Sequence, residues 1–128
     1  MWKKTVISLC LLTLFGWGLY TSKTLIIPPA SYVHIINDGA ITATSSHILI
    51  ATEYGDALDH LDQIDGGRDG QLLLLRIANA SQQVIVRCRM DGNIAIPTYC
   101  YLRSTQQTLL LIYDATQQQW LELSRSSN

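Results

Sequence analysis

Charge is scarce in this sequence. Only 15% of its 128 residues are charged, nine basic against ten acidic, for a formal net charge of -1. The basic surplus that neutralising a phosphate backbone demands is missing, which excludes nucleic acid as a main partner. Metal-ligand spacing is missing too: His34, His47 and His60 stand apart, and no Cys-x-x-Cys or His-x-x-x-His occurs. Two thiols without clustered histidines do not make a zinc site. No Gly-x-Ser-x-Gly, P-loop or dinucleotide fingerprint is present. Ser46 and His47 are neighbours on an expected strand, so their side chains point to opposite faces. With no catalytic residue to name, the expectation is a non-enzymatic chain without cofactor or metal.

What is present is apolar. Hydrophobic residues make up 48% of the chain, enough for one domain with a modest core. The first 22 residues stand apart: Lys3 and Lys4 precede an uncharged run from Thr5 to Tyr20 rich in leucine. This pattern reads as a signal peptide or a signal anchor, with residues 5–20 as the only membrane contact if uncleaved. The run is short of the roughly 20 apolar residues of a full span, and no A-x-A site follows it, so cleavage, anchoring and a different true start all stay open. The expected organisation is a leader over 1–22, a linker and first strand over 23–38, and a β-rich domain over 39–128.

From residue 25 onward short β-branched or leucine-rich runs alternate with Gly, Asn, Asp, Ser and Gln, the signature of an all-β domain. Strand starts at Leu72, Val84, Ile94, Thr108 and Trp120 recur every ten to fourteen residues. That rhythm predicts short antiparallel strands in a sandwich or a small roll or solenoid-like module. In Val84 to Met90 the alternation puts Val84, Val86, Cys88 and Met90 on a core face. Leu72 to Leu75 and Leu109 to Ile112 are apolar on both faces, and each needs cover from a second sheet or a neighbouring chain.

Six of the ten acids fall between Glu53 and Asp69, at roughly three-residue spacing, with Leu58, Leu61 and Ile64 between them. The spacing predicts one short helical turn near 56–65, capped by Asp56 and ended by Gly66 and Gly67. Asp65 to Gly70 superficially matches the start of an EF-hand loop, but Gly67 stands at its third position and Arg76 at its twelfth, where a bidentate Glu is needed. The carboxylates are therefore expected to accept from nearby backbone amides rather than to hold calcium.

Cys10 lies in the leader, leaving Cys88 and Cys100 as a candidate disulfide across the turn Asp91-Gly92-Asn93, or as two small buried hydrophobes. Tyr54, Tyr99, Tyr101, Tyr113 and Trp120 are the candidate ligand-facing aromatics for a glycan. Their alternative is core or hairpin packing.

A longer pattern runs through Gly39-Ala-Ile-Thr42, Asp59-His-Leu-Asp62-Gln-Ile-Asp65-Gly-Gly and Asp69-Gly-Gln71-Leu-Leu-Leu-Leu-Arg76-Ile-Ala-Asn79. It continues through Val84-Ile-Val86-Arg87, Gly92-Asn93-Ile94, Thr108 to Asp114 and Trp120 to Asn128. In order and spacing this stretch of about ninety residues resembles a module of bacteriophage tail-fibre and other virion-appendage proteins. The resemblance implies a structural or binding module, a homotrimer, a place on the virion, and a host-surface glycan or protein as partner. The leader supports a second expectation, a secreted or envelope-anchored bacterial β-domain that binds a glycan or a protein.

Overall fold

The computed structural model describes residues 33–126. The leader, residues 5–20 and Cys10 lie outside the described residues. What is described is all-β, with eleven strands and one single-turn 3-10 helix.

The strands are β1 (Val33–Ile35), β2 (Ala40–Thr42), β3 (His47–Ala51), β4 (Leu58–Leu61), β5 (Gln63–Asp65), β6 (Leu72–Ile77), β7 (Gln83–Val86), β8 (Ile94–Ala95), β9 (Cys100–Leu102), β10 (Leu109–Asp114) and β11 (Gln119–Arg125). The chain winds rather than folding back at each turn. Each circuit lays one strand beside its predecessor, so β1, β3 and β6 run parallel on one side, β2 and β5 on a second, and β4 and β7 on a third. The far end of this solenoid-like stack is closed by antiparallel strands: β9 on β7, β10 on β6, and β11 on β10, with β8 parallel to β11. Five of these eight pairings are parallel, where the rhythm of turns predicted antiparallel neighbours. Turn spacing reports when the chain changes direction, and a corner between two sides of a solenoid gives the same signal as a hairpin.

The first circuit omits the third side. Asn37 and Ala40 bridge a tight turn in which Asp38 and Gly39 have φ of 49° and 76°. The carbonyl of Gly39 accepts from the amides of both Asp62 and Gln63, which seats this turn on the corner between β4 and β5.

That corner explains why no helical turn forms over 56–65. Residues 58–61 and 63–65 are strands of two different sheets, and the 3-10 helix lies earlier, at Glu53–Gly55. Leu61 and Ile64 are three apart and both fully buried because the backbone bends between them, whereas Leu58 is about half exposed. A spacing of three across a bend mimics a helical period.

One core fills the stack. Ile48 and Ile50 of β3, Leu73, Leu75 and Ile77 of β6, and Leu109 and Leu111 of β10 all point inward with essentially no exposure. They meet Leu61 and Ile64 from the β4–β5 corner, Val84 and Val86 from β7, and Trp120 from β11. The core face expected for Val84 to Met90 stops at Val86, and Cys88 and Met90 are exposed. The chain leaves the sheet at Arg87, whose guanidinium makes a two-pronged ion pair with Asp62 at 2.6 Å.

Candidate functional site

The five candidate aromatics fall into separate places. Trp120 is fully buried, so it faces the core and no ligand. Its indole Nε1 donates to the carbonyl of Ile64 at 3.0 Å, which satisfies the one polar group that makes burying a tryptophan costly. Tyr113 is opposite it across β10 and β11, with ring centroids 5.1 Å apart, and packs half-buried against the core. Tyr113 also lies on Gly67, where any Cβ would run into the ring.

Tyr101 points outward from β9 and Tyr99 immediately precedes that strand, both a little under half exposed. The register aligns His60, Ile85 and Tyr101 in one row across β4, β7 and β9. The guanidinium of Arg103 sits 4.8 Å from the Tyr101 ring centroid, so a cation occupies one of the faces that a sugar would stack on. Tyr54 is almost fully exposed in the 3-10 turn, with φ of 56°, a left-handed conformation uncommon for a bulky side chain.

Cys88 and Cys100 are both free thiols, one exposed and one buried, so they do not form the candidate disulfide. The expected hairpin around Asp91-Gly92-Asn93 does not form: β7 pairs with β4 and β9, whereas β8 pairs with β11. Cys100 therefore stands opposite Val86 in the ladder, and Cys88 lies past its end. Burial pushes the Cys100 thiol up from its ordinary value, which keeps it neutral.

Glu53, Asp59, Asp62 and Asp69 of the 53–69 segment tie separated parts of the chain together. Asp59 accepts from the amides of Glu53 and His60, Glu53 from the amide of Asp38, and Asp69 from the amide of Ala115. Asp62 holds Arg87, and this hydrogen bond raises the guanidinium above its ordinary value. Among the described residues no group of three or more His, Cys, Asp or Glu side chains could hold a metal ion.

Asn93, which the sequence placed in a turn and in the motif Gly92-Asn93-Ile94 without a structural role, ties two parts of the stack together. Its side-chain oxygen accepts from the amide of Ile64 at 2.9 Å and its side-chain nitrogen donates to the Ile64 carbonyl at 2.7 Å, imitating a strand on the open edge of β5. Its neighbour Gly92 lies so close to the carbonyl of Asp62 that no Cβ fits. The Gly-Asn pair is the available signal, since one member removes bulk and the other supplies both halves of a backbone hydrogen-bonding pattern. A polar cleft of about 450 Å3 opens here, lined by Asp65, Asp91, Gln118 and the edge of Tyr113 among others.

The second notable surface is the outside of the six-stranded sheet β1-β3-β6-β10-β11-β8. Leu72 and Leu74 of β6 and Leu110 and Ile112 of β10 alternate with the core leucines and are half-buried. Register places Leu74 between His47 and Leu110, and Ile112 between Leu72 and Leu121. Val33 sits beside Leu49, and Ile35 beside Ala51. The two-sided apolar character read from the leucine runs thus extends to Val33 and Ile35 of β1, Leu49 of β3 and Leu121 of β11. The additional members come from strands whose neighbours only the register reveals.

No protein-family model matches this chain, and no curated protein matches it. A solved structure described as "Structure of a chaperone-substrate complex" is similar over 68% of this chain and 14% of that chain, at 18% sequence identity and a TM-score of 0.45.

Proposed function

We propose that this chain is a non-enzymatic structural and binding module of a virion appendage of the tail-fibre type, assembled as a homotrimer and supporting a neighbouring part that contacts a host-surface glycan or protein. The observation that carries this reading is the use of its motif residues. Gly67 makes room for Tyr113, Gly92 for the Asp62 carbonyl, Asn93 pairs with Ile64, and Trp120 donates to Ile64. Each of these residues joins one part of the stack to another. A sequence pattern spent on holding turns and strands together belongs to a module whose product is its shape.

A secreted or envelope-anchored β-domain that binds a glycan or protein is the second reading, and the run from Thr5 to Tyr20 behind Lys3 and Lys4 favours it. Residues 1–22 fused to a reporter that is active only after export separate the two. A reporter left inactive in the cytoplasm agrees with the virion module. Efficient export moves the protein to the envelope.

A further inference from the structure

We infer that the outer face of the six-stranded sheet is an interface with a second copy of this chain. The inference goes beyond the proposed function, since it commits assembly to one surface and holds for an envelope domain as well as for a virion module.

Composition is the first support. A sheet face turned to water ordinarily alternates polar residues with the core set. Here the outward positions of β6 and β10 are Leu72, Leu74, Arg76, Leu110, Ile112 and, at the end of β10, Asp114, and the edge strand adds Val33 at 46% exposure and Ile35 at 65%. The second support is electrostatic. When one surface meets its own copy, like charges meet like charges, so a self-docking face must carry almost none. Two charged residues, Arg76 and Asp114, stand in the outward rows of β6 and β10: the Nε and Nη2 of Arg76 both donate to the carbonyl of Thr105, at 2.9 and 2.6 Å, and Oδ1 of Asp114 accepts from the amides of Thr116 and Gln117. Those contacts draw both charges onto the chain's own backbone.

Size is the third. The face spans β1, β3, β6, β10 and β11. With strands about 4.8 Å apart and about 3.3 Å per residue, it covers roughly 500 Å2 in projection, and more once the relief of the side chains is counted. A stable pair buries about 800 Å2 on each partner. In the proposed trimer three such faces turn toward one threefold axis, where their leucines are buried against the neighbouring copies.

The test uses the full chain. Light scattering on the gel-filtered protein at micromolar concentration should give an oligomer, and the double substitution Leu74→Glu, Leu110→Glu should give a monomer with an unchanged far-ultraviolet spectrum. Because that variant can fail to fold, a second measurement stands beside it. In a chain with Cys10→Ser and Cys88→Ser, the thiol of Leu74→Cys should react about tenfold faster with a maleimide after dilution to nanomolar concentration, whereas that of Gln117→Cys in the exposed turn should not change. A monomeric native chain overturns the inference. So does an oligomer that survives both glutamates, which would place association on the Thr5 to Tyr20 segment or another surface. A Leu74→Cys thiol whose rate ignores dilution overturns it as well.

Discussion

Trp120 donates its indole N–H to the carbonyl oxygen of Ile64, 56 residues earlier in the chain and 3.0 Å away. The bond ties the closing hairpin to the middle of β5, and it lies inside the core. Asn93 donates to the same carbonyl at 2.7 Å, so that oxygen keeps a partner when the indole is removed. Trp120→Phe is therefore expected to destabilise the chain by only about 1–2 kcal/mol, from lost packing and one hydrogen bond. Trp120→Ala should cost about 3–5 kcal/mol. Urea unfolding of the two variants checks both figures. An alanine variant that melts like the native chain would remove Trp120 from the core.

Gly67 and Tyr113 form a pair that a mutant cycle can test. Gly67→Ala drives a methyl into the tyrosine ring and should cost about 1–3 kcal/mol. In a Tyr113→Ala background the same change meets open space and should cost close to nothing. The coupling between the two sites is then the measured quantity. Additive costs would show that Gly67 is needed for some reason other than the ring.

Thiol chemistry distinguishes the two cysteines. In a Cys10→Ser chain, iodoacetamide should modify the exposed Cys88 promptly and Cys100 only after denaturant is added, because burial both shields the second thiol and holds it protonated. Mass spectrometry counts the adducts. Two rapid additions under native conditions would mean that β9 opens freely.

His34 gives the stability a pH dependence of known sign. Burial lowers its pKa, so the folded chain takes up this proton less readily than the unfolded one. The contribution is present above the unfolded value of about 6.5 and is lost as pH falls through that value toward the lower folded one. Between pH 7.5 and 5 the native chain should lose more stability than His34→Gln, read as the difference in urea midpoints. Equal losses would assign the dependence to other groups.

The sequence revealed face and element more readily than partner. The strands Leu72–Ile77 and Leu109–Asp114 begin at, and one residue after, the expected starts at Leu72 and Thr108, because apolar runs between turn signals leave little freedom. Parallel pairing was not legible: alternation tells which way a side chain points, but Val33 meets Leu49 only after a full circuit of chain. The same long reach hid the partners of Cys100 and placed Trp120 in the core, since its hydrogen-bond acceptor, Ile64, belongs to another side of the stack. At the β4–β5 corner the signal misled, as two buried residues three apart fit a bend as well as a helix.

Winding has a consequence for the order in which the protein assembles itself. The hairpin of β10 and β11 closes through the short turn 115–118, so it is the cheapest pairing in chain entropy and the quickest to form. Every parallel contact must wait for a much larger loop to close, which places the fold toward the slow, millisecond-to-second end of small-domain kinetics. Yet that hairpin leaves the ribosome after every other described strand. The earlier turns of the coil emerge with the edge of β6 still bare, and only the arrival of β10 supplies the template against which they can settle. Folding is thus expected to begin at β10 and β11 and to travel back through the stack toward β1.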